Sequence, residues 1–314
     1  MKTVEPAREE RLFAPFIDSV DGTLCVPADS TPAKINEMTA GQRLRFPLIL
    51  DAAATLEEHA KATTHAPASC RFGPYCDNIL GVNWRLPSGR VARIGERVVK
   101  TTTGYDWLRF LVHSGRRYGE PLDYVIRLRP DCGFELVAYF EGALPLLQRC
   151  VHHLLHSGWM HWLDSVDFIC GRGPASVRVA VHCPRAEAGI FETELGRVAS
   201  ECGARLRLEV AVEPLCDGLP DVIAKTTPDR AISLALALGG DSECCIALCY
   251  NGVVHVHLAE GGDIAERAHA LMQPHLATLH ALGGDWHSRW LPATPPSIAE
   301  SRWIEILEQV IHAP

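Results

Sequence analysis

R-F-G-P-Y-C-D-N-I-L-G (residues 71–81), L-P-S-G-R-V-A-R-I-G (86–95), K-T-T-T-G-Y-D-W-L-R-F-L-V-H-S (100–114) and D-Y-V-I-R-L-R-P (123–130) follow one another in a single stretch of the chain. Ile79 to Leu86 is an apolar run of strand length. Pro87-Ser88-Gly89-Arg90 is a turn with glycine where positive φ is needed, and Val91 to Ile94 returns as the partner strand. Asp106 to His113 has helical spacing, with a carboxylate at its start to cap the amides or meet the dipole. Tyr124 to Arg129 alternates apolar and basic side chains, as a half-buried strand does, and ends at Pro130. Gly73, Gly81, Gly89, Gly95 and Gly104 fall where backbone turns or approaches a neighbour closely, and Asp77-Asn78 can accept from turn amides.

On either side of that stretch the pattern changes. Residues 1 to about 45 are rich in Pro, Ala and charge, with one helix expected from Pro32 to Ala40. Arg45 to Asp51 reads as a strand and Thr55 to Thr63 as a helix. Beyond Pro130 strands and helices alternate. Strands are expected at Phe134–Phe140, Val166–Cys170, Ser176–His182, Arg205–Val212, Cys244–Tyr250 and Gly252–Leu258. Helices are expected at Ala143–His156, Ala186–Cys202, Asp229–Leu238, Asp263–Leu282 and Ile298–His312. Asn251-Gly252 between two apolar runs signals a type I′ hairpin. The pattern describes an α+β class, an antiparallel sheet with helices on one face, and two domains, residues 1–132 and 133–314.

Composition narrows the function. The chain has 314 residues, 47% of them apolar, enough for a sizeable core. Its 30 Lys and Arg against 38 Asp and Glu leave a net charge of −8, which argues against nucleic acid as a partner. No membrane span is expected, since no run approaches the roughly 20 apolar residues needed. Met1 to Arg11 has no apolar signal region, so a cytoplasmic protein with reduced thiols is expected. The 12 cysteines contain no C-x-x-C, and Cys244-Cys245-x3-Cys249 lies in a strand-like run, so no iron–sulfur cluster of its own is expected. His255-x-His257 points two imidazoles to one side of a strand, a spacing compatible with a metal half-site, but no metal is assigned. His152, His153, His156 and His161 have no carboxylate at a convincing ligand offset and are read as surface or interface residues. G-x-S-x-G, Walker A and G-x-G-x-x-G are all lacking, so hydrolase, NTPase and Rossmann chemistry have no support.

The quoted blocks resemble, in order and nearly in spacing, the second half of the FAD-binding domain of the vanillyl-alcohol oxidase and p-cresol methylhydroxylase (PCMH-type) family. The nearest likeness is to the glycolate oxidase and D-lactate dehydrogenase branch. There the pattern runs [RK]-[YF]-G-x-x-x-D-N-[VI]-L-G, then x-G-x-[VI]-x-x-x-G, K-x-x-x-G-Y-D-[LW] and L-R-x-x-P. Cys245 to Leu258, followed by Gly283-Gly284-Asp285-Trp286-His287, looks similar to the α+β cap of the shorter glycolate-oxidase flavin subunit. The resemblance implies FAD as cofactor and a shortened FAD-binding domain followed by that cap. It places Arg71, Gly73, Asp77, Asn78, Gly81, Lys100, Gly104, Tyr105, Asp106, Ser114 and Gly119 at the cofactor. It also implies a flavin-linked oxidation of 2-hydroxy acids, with a full-length FAD oxidase subunit and an iron–sulfur subunit as partners. No catalytic base is identified.

The sequence also departs from that pattern. The family's P-x-x-x-[RG]-G-x-G-[ST] loop, whose amides cradle a pyrophosphate, is missing from the 70 residues before Arg71, which hold only Gly22 and Gly41. Thr55-Leu56-Glu57-Glu58 stands where the family has T-[IL]-G-G. In Ser114-Gly115-Arg116-Arg117-Tyr118-Gly119, Arg116 replaces a glycine of S-x-G-x-[LF]-G. A non-catalytic subunit that keeps the fold and scaffolds the complex is the alternative these departures raise.

Overall fold

A computed structural model describes residues 16–48, 50–62, 66–95, 107–114, 118–210, 218–240, 242–281 and 284–288. The chain opens with a hairpin, β1 (Phe16–Asp18) and β2 (Thr23–Pro27), whose turn is closed by Asp18 accepting from the Val20 and Asp21 amides at 3.0 Å. Helix α1 (Pro32–Thr39) starts on Thr31, whose hydroxyl accepts from the Lys34 amide, with proline in the first turn where no donor is needed. Next come the short strand β3 (Leu44–Arg45) and helices α2 (Leu56–Ala62) and α3 (Ser69–Phe72). The hairpin β4 (Ile79–Arg85) and β5 (Val91–Gly95), helix α4 (Trp107–His113), β6 (Glu120–Arg127) and β7 (Arg129–Pro130) follow. Five of these strands form an antiparallel sheet in the order β1-β2-β6-β4-β5, while β3 pairs with β7. Leu24, Ile35, Leu56, Tyr75, Trp84, Leu111, Tyr124 and Ile126 are its buried core. Burying each such side chain contributes roughly 1.5–3 kcal/mol.

The second sheet is built from β8 (Gly133–Glu141), β9 (Ser165–Gly171), β10 (Ser176–Pro184), β11 (Arg205–Glu209), β12 (Val222–Lys225), β13 (Cys244–Leu248), β14 (Val253–His257) and β15 (Asp285–Ser288). Its order is β11-β8-β10-β9-β13-β14-β12-β15, antiparallel throughout. Helices α5 (Leu144–Leu155), α6 (Ala188–Cys202), α7 (Ala231–Gly239), α8 (Ile264–Met272) and α9 (Leu276–Ala281) accompany it. Strand alternation sends Leu136, Phe140, Val177, Val179, Phe168, Ala247 and Val254 into a core shared with these helices. Helix α5 meets that core with Leu147, Cys150, Val151 and Leu154, one turn apart along a single stripe. The opposite face, with Asp167, Ile169, Arg178, Ile223, Ile246 and His255, is turned away from these helices, and α3 packs against β9.

The hairpin of residues 79–95 and the helices at Pro32, Leu56 and Trp107 form as expected, with ends shifted by a residue or two. Other expectations are corrected. Arg45 to Asp51 forms a strand only at its start, because Pro47 has no amide to continue the ladder. Two strands stand in the Pro-rich opening, where buried Leu24, Cys25 and Val26 outweigh the composition around them. The 244–257 hairpin is not a type I′ turn. Leu248 pairs with Val253, leaving residues 249–252 as a four-residue loop in which Gly252, but not Asn251, has positive φ. The long helix expected from Asp263 is interrupted at Gln273–His275, where Pro274 cannot donate. The helix expected at Ile298–His312 lies outside the described residues.

Candidate functional site

The sites implied for a flavin converge on the segment from α3 to β4 and on the helix packed beside it. Ser69 accepts the Ala66 amide at 2.9 Å, and Ala68 takes φ 76, so the chain turns sharply and α3 presents Cys70 and Arg71 to β9. Arg71 Nη1 donates to Asp164 Oδ1 at 2.6 Å, while Arg45 Nη2 donates to the other carboxylate oxygen at 3.1 Å. The Cys70 thiol meets the Asp164 carbonyl. Gly73 ends α3 at φ 80, and a Cβ there would stand 2.9 Å from Asp77 Oδ2. Asp77 pairs with Arg109 of α4. Asn78 is buried and donates to the Phe72 and Pro74 carbonyls at 3.1 Å, which fixes the turn into β4.

Gly81 faces Gly95 across the hairpin at a bulge in the pairing with β6, and a Cβ on Gly95 would overlap the Leu80 carbonyl oxygen. Ser114 donates to the Leu111 carbonyl at the end of α4. Gly119, at φ 123, lies so close to β4 that a Cβ would overlap the Arg85 carbonyl oxygen. The predicted residues that are described thus form one neighbourhood around α3, the 75–78 turn, β4 and α4, and each has a structural contact of its own. Lys100, Gly104, Tyr105 and Asp106 lie outside the described residues.

Two further places bear on a flavin. At the start of α2, Thr55 and Glu58 close a capping box. Glu58 Oε2 accepts from the Thr55 amide at 2.8 Å, and Thr55 Oγ1 accepts from the Glu58 amide at 3.2 Å. Hydrogen bonds from the Thr55 backbone and hydroxyl hold the Glu58 carboxyl below its ordinary range. Glu57 beside it pairs with Lys61 at 2.7 Å. Just upstream, Asp51 Oδ1 accepts from the Ala53 and Ala54 amides at 2.7 and 3.0 Å. Burial works to raise the Asp51 carboxyl, but those amides outweigh it and bring it below the usual range. The amides here already have partners: those of Ala53, Ala54 and Thr55 meet the Asp51 and Glu58 carboxylates, those of Leu56 and Glu57 meet the Ser30 and Ala28 carbonyls, and that of Glu58 meets the Thr55 hydroxyl. A pyrophosphate does not fit either place as it stands.

On the sheet face toward α3, Asp167 and Arg178 form an ion pair at 3.5 Å with side chains 2% and 0% exposed. Burial pushes the Asp167 carboxyl up to about 6 despite the pull of Arg178. His255 is buried on that face between Ile246 and Ile223. Among the described residues no group of three or more His, Cys, Asp or Glu is placed to hold a metal. His287 Nε2 lies 3.0 Å from the Ala62 carbonyl oxygen, which puts the ring proton on that nitrogen and ties β15 to α2. A cleft of about 620 Å³ opens between α1, residues 44–52 and the start of β8, with Arg45, Asp131, Glu135, His182 and Arg185 on its walls. Sequence reading does not find Arg45, Asp164, Asp167 or Arg178. The Arg45–Asp164 contact spans 119 residues, and no local pattern marks it.

No protein-family model and no curated protein matches the chain. Solved structures do. Physcomitrella patens BBE-like 1 superposes with TM-score 0.62 at 11% identity, over 86% of this chain and 69% of that one. An alkyldihydroxyacetonephosphate synthase gives 0.61 at 10% identity, over 94% and 62%. A VAO-type flavoprotein from Myceliophthora thermophila C1 gives 0.61 at 12% identity, over 84% and 59%.

This chain has the PCMH-type flavoprotein fold. It spans between 59% and 69% of the length of those three structures. Within the PCMH-type fold, the segment from α3 to β7 is the part whose sequence also carries the resemblance. No helix among the described residues is long and apolar enough to cross a membrane.

Proposed function

We propose that this chain is a cytoplasmic subunit of a flavin-linked oxidoreductase of glycolate-oxidase type, and that it keeps the fold without holding FAD by itself. A full-length FAD oxidase subunit would take the hydride of a 2-hydroxy acid, and an iron–sulfur subunit would carry the electrons on. This chain would hold the two together. The observation that carries the reading is the start of α2. There the glycine pair of the resembling family is replaced by Glu57 and Glu58, and the capping box with Thr55 occupies the amides. A pyrophosphate brought there would meet carboxylates instead of free donors.

A second reading, in which the chain binds flavin itself or completes a partner's half-site, draws support from the glycine-dependent packing of Gly95 and Gly119. The visible spectrum separates the two, since bound flavin absorbs near ~450 nm. Colourless protein alone that co-purifies with a flavin-bearing partner is the expected result. Flavin retained by the isolated chain after desalting would overturn the scaffold reading. A colourless protein that captures neither partner on co-expression would overturn the complex.

A further inference from the structure

Cations are gathered at the seam between the two sheets in excess of the carboxylates that face them. Strands β3 and β7 pair so that Arg45 stands directly opposite Arg129, an arrangement that places like charges together across a ladder. Arg71 joins them from α3. The three guanidinium carbons lie 5.7, 5.8 and 5.1 Å, in the order Arg45, Arg129 and Arg71, from the centroid of one ring, Phe72. The ring face attracts each cation modestly, and Asp164 accepts from Arg45 and Arg71. Arg129 has no carboxylate partner among the described residues, and the Nε atoms of Arg45, Arg127 and Arg129 are buried without a hydrogen-bond acceptor. Burial first, then the charges of Arg127 and Arg71, hold the Arg129 guanidinium below its ordinary pKa. The neighbouring acids Asp131 and Glu135 lie against His182, at 3.1 and 3.4 Å. Arg45 also lines the 620 Å³ cleft.

We propose that Arg129, with Arg45 and Arg71, binds a small oxyanion, a carboxylate or phosphoryl group, at the seam beside Phe72. Guanidinium forks match both groups with paired N–H donors. One such anion would satisfy Arg129 and lower the repulsion across the β3–β7 ladder. The site does not rest on flavin binding and can be read in colourless protein.

The test is calorimetric titration of the full chain with inorganic phosphate and, separately, with malonate, at ionic strength held constant with sodium chloride. Saturable binding of either is expected. Phosphate alone would mark a phosphoryl ligand, and malonate alone a carboxylate. Arg129→Gln should weaken that binding at least tenfold and Arg129→Lys less so, whereas the exposed Arg230→Gln should leave it unchanged. Wild-type protein that binds neither anion saturably would overturn the proposal, whether or not the variants fold. Binding that survives in folded Arg129→Gln would overturn it too.

Discussion

Asp167 shows how burial turns a side chain into a pH-dependent element of stability. Its carboxyl is pushed up to about 6 because burial disfavours the charged form more than Arg178 restores it. The folded state therefore holds this proton more tightly than the unfolded chain. The stabilisation is complete below the unfolded value, ordinarily near 3.8, and is lost as pH rises through about 6. Denaturant unfolding between pH 4 and 7 should show this negative contribution, and Asp167→Asn should make the slope less negative. Gly119 is constrained by space. It sits at φ 123 with the Arg85 carbonyl oxygen where a methyl group would go, so Gly119→Ala is expected to cost about 3 kcal/mol, seen as a lower Tm. Thr55 caps α2, and Thr55→Ala should cost about 1 kcal/mol in the same measurement.

Among the elements, α3 and the loop into β9 form the clasp between the two sheets. Asp164 is 5% exposed in its side chain and receives Arg45 and Arg71 from the first half of the chain. Burial raises its carboxyl even so, with the two guanidiniums acting in the opposite direction. Removing it leaves two poorly solvated cations without a partner, which is far more costly than losing an exposed pair. Asp164→Ala should destabilise by about 3 kcal/mol and speed amide exchange in α3 before it does so in β10. By contrast Glu194→Gln, which loses an ion pair of α6 with Arg197, should change stability by less than about 0.5 kcal/mol. Equal effects from both variants would mean that Asp164 does not clasp the seam.

Taken together, the two sheets and their helices reproduce a flavoprotein scaffold at 10–12% identity. Replacing both Glu57 and Glu58 with glycine would restore the small residues of the resembling family and remove the carboxylates at α2. If those carboxylates exclude the cofactor, the double variant should take up FAD from solution, read as quenching of flavin fluorescence, where wild type does not. Lack of uptake by the folded variant would place the obstacle elsewhere.

The 79–95 hairpin, the helices with apolar stripes and the alternating strands of the second sheet are legible in the residues alone, because turn chemistry and periodicity act over a few positions. The Thr55–Glu58 capping box is a local pattern that the sequence reading passes over, taking Glu58 only as a charge in place of a glycine. The strands at Thr23–Pro27 and Val222–Lys225 are not legible, being short runs whose pairing comes from distant neighbours. Long-range packing alone sets where Arg71 goes, that Asp167 meets Arg178, and that Arg45 and Arg129 stand across one ladder. Most of those contacts join residues far apart in the chain, and whether a charged side chain faces water, a partner or a ligand depends on which surfaces the fold brings together.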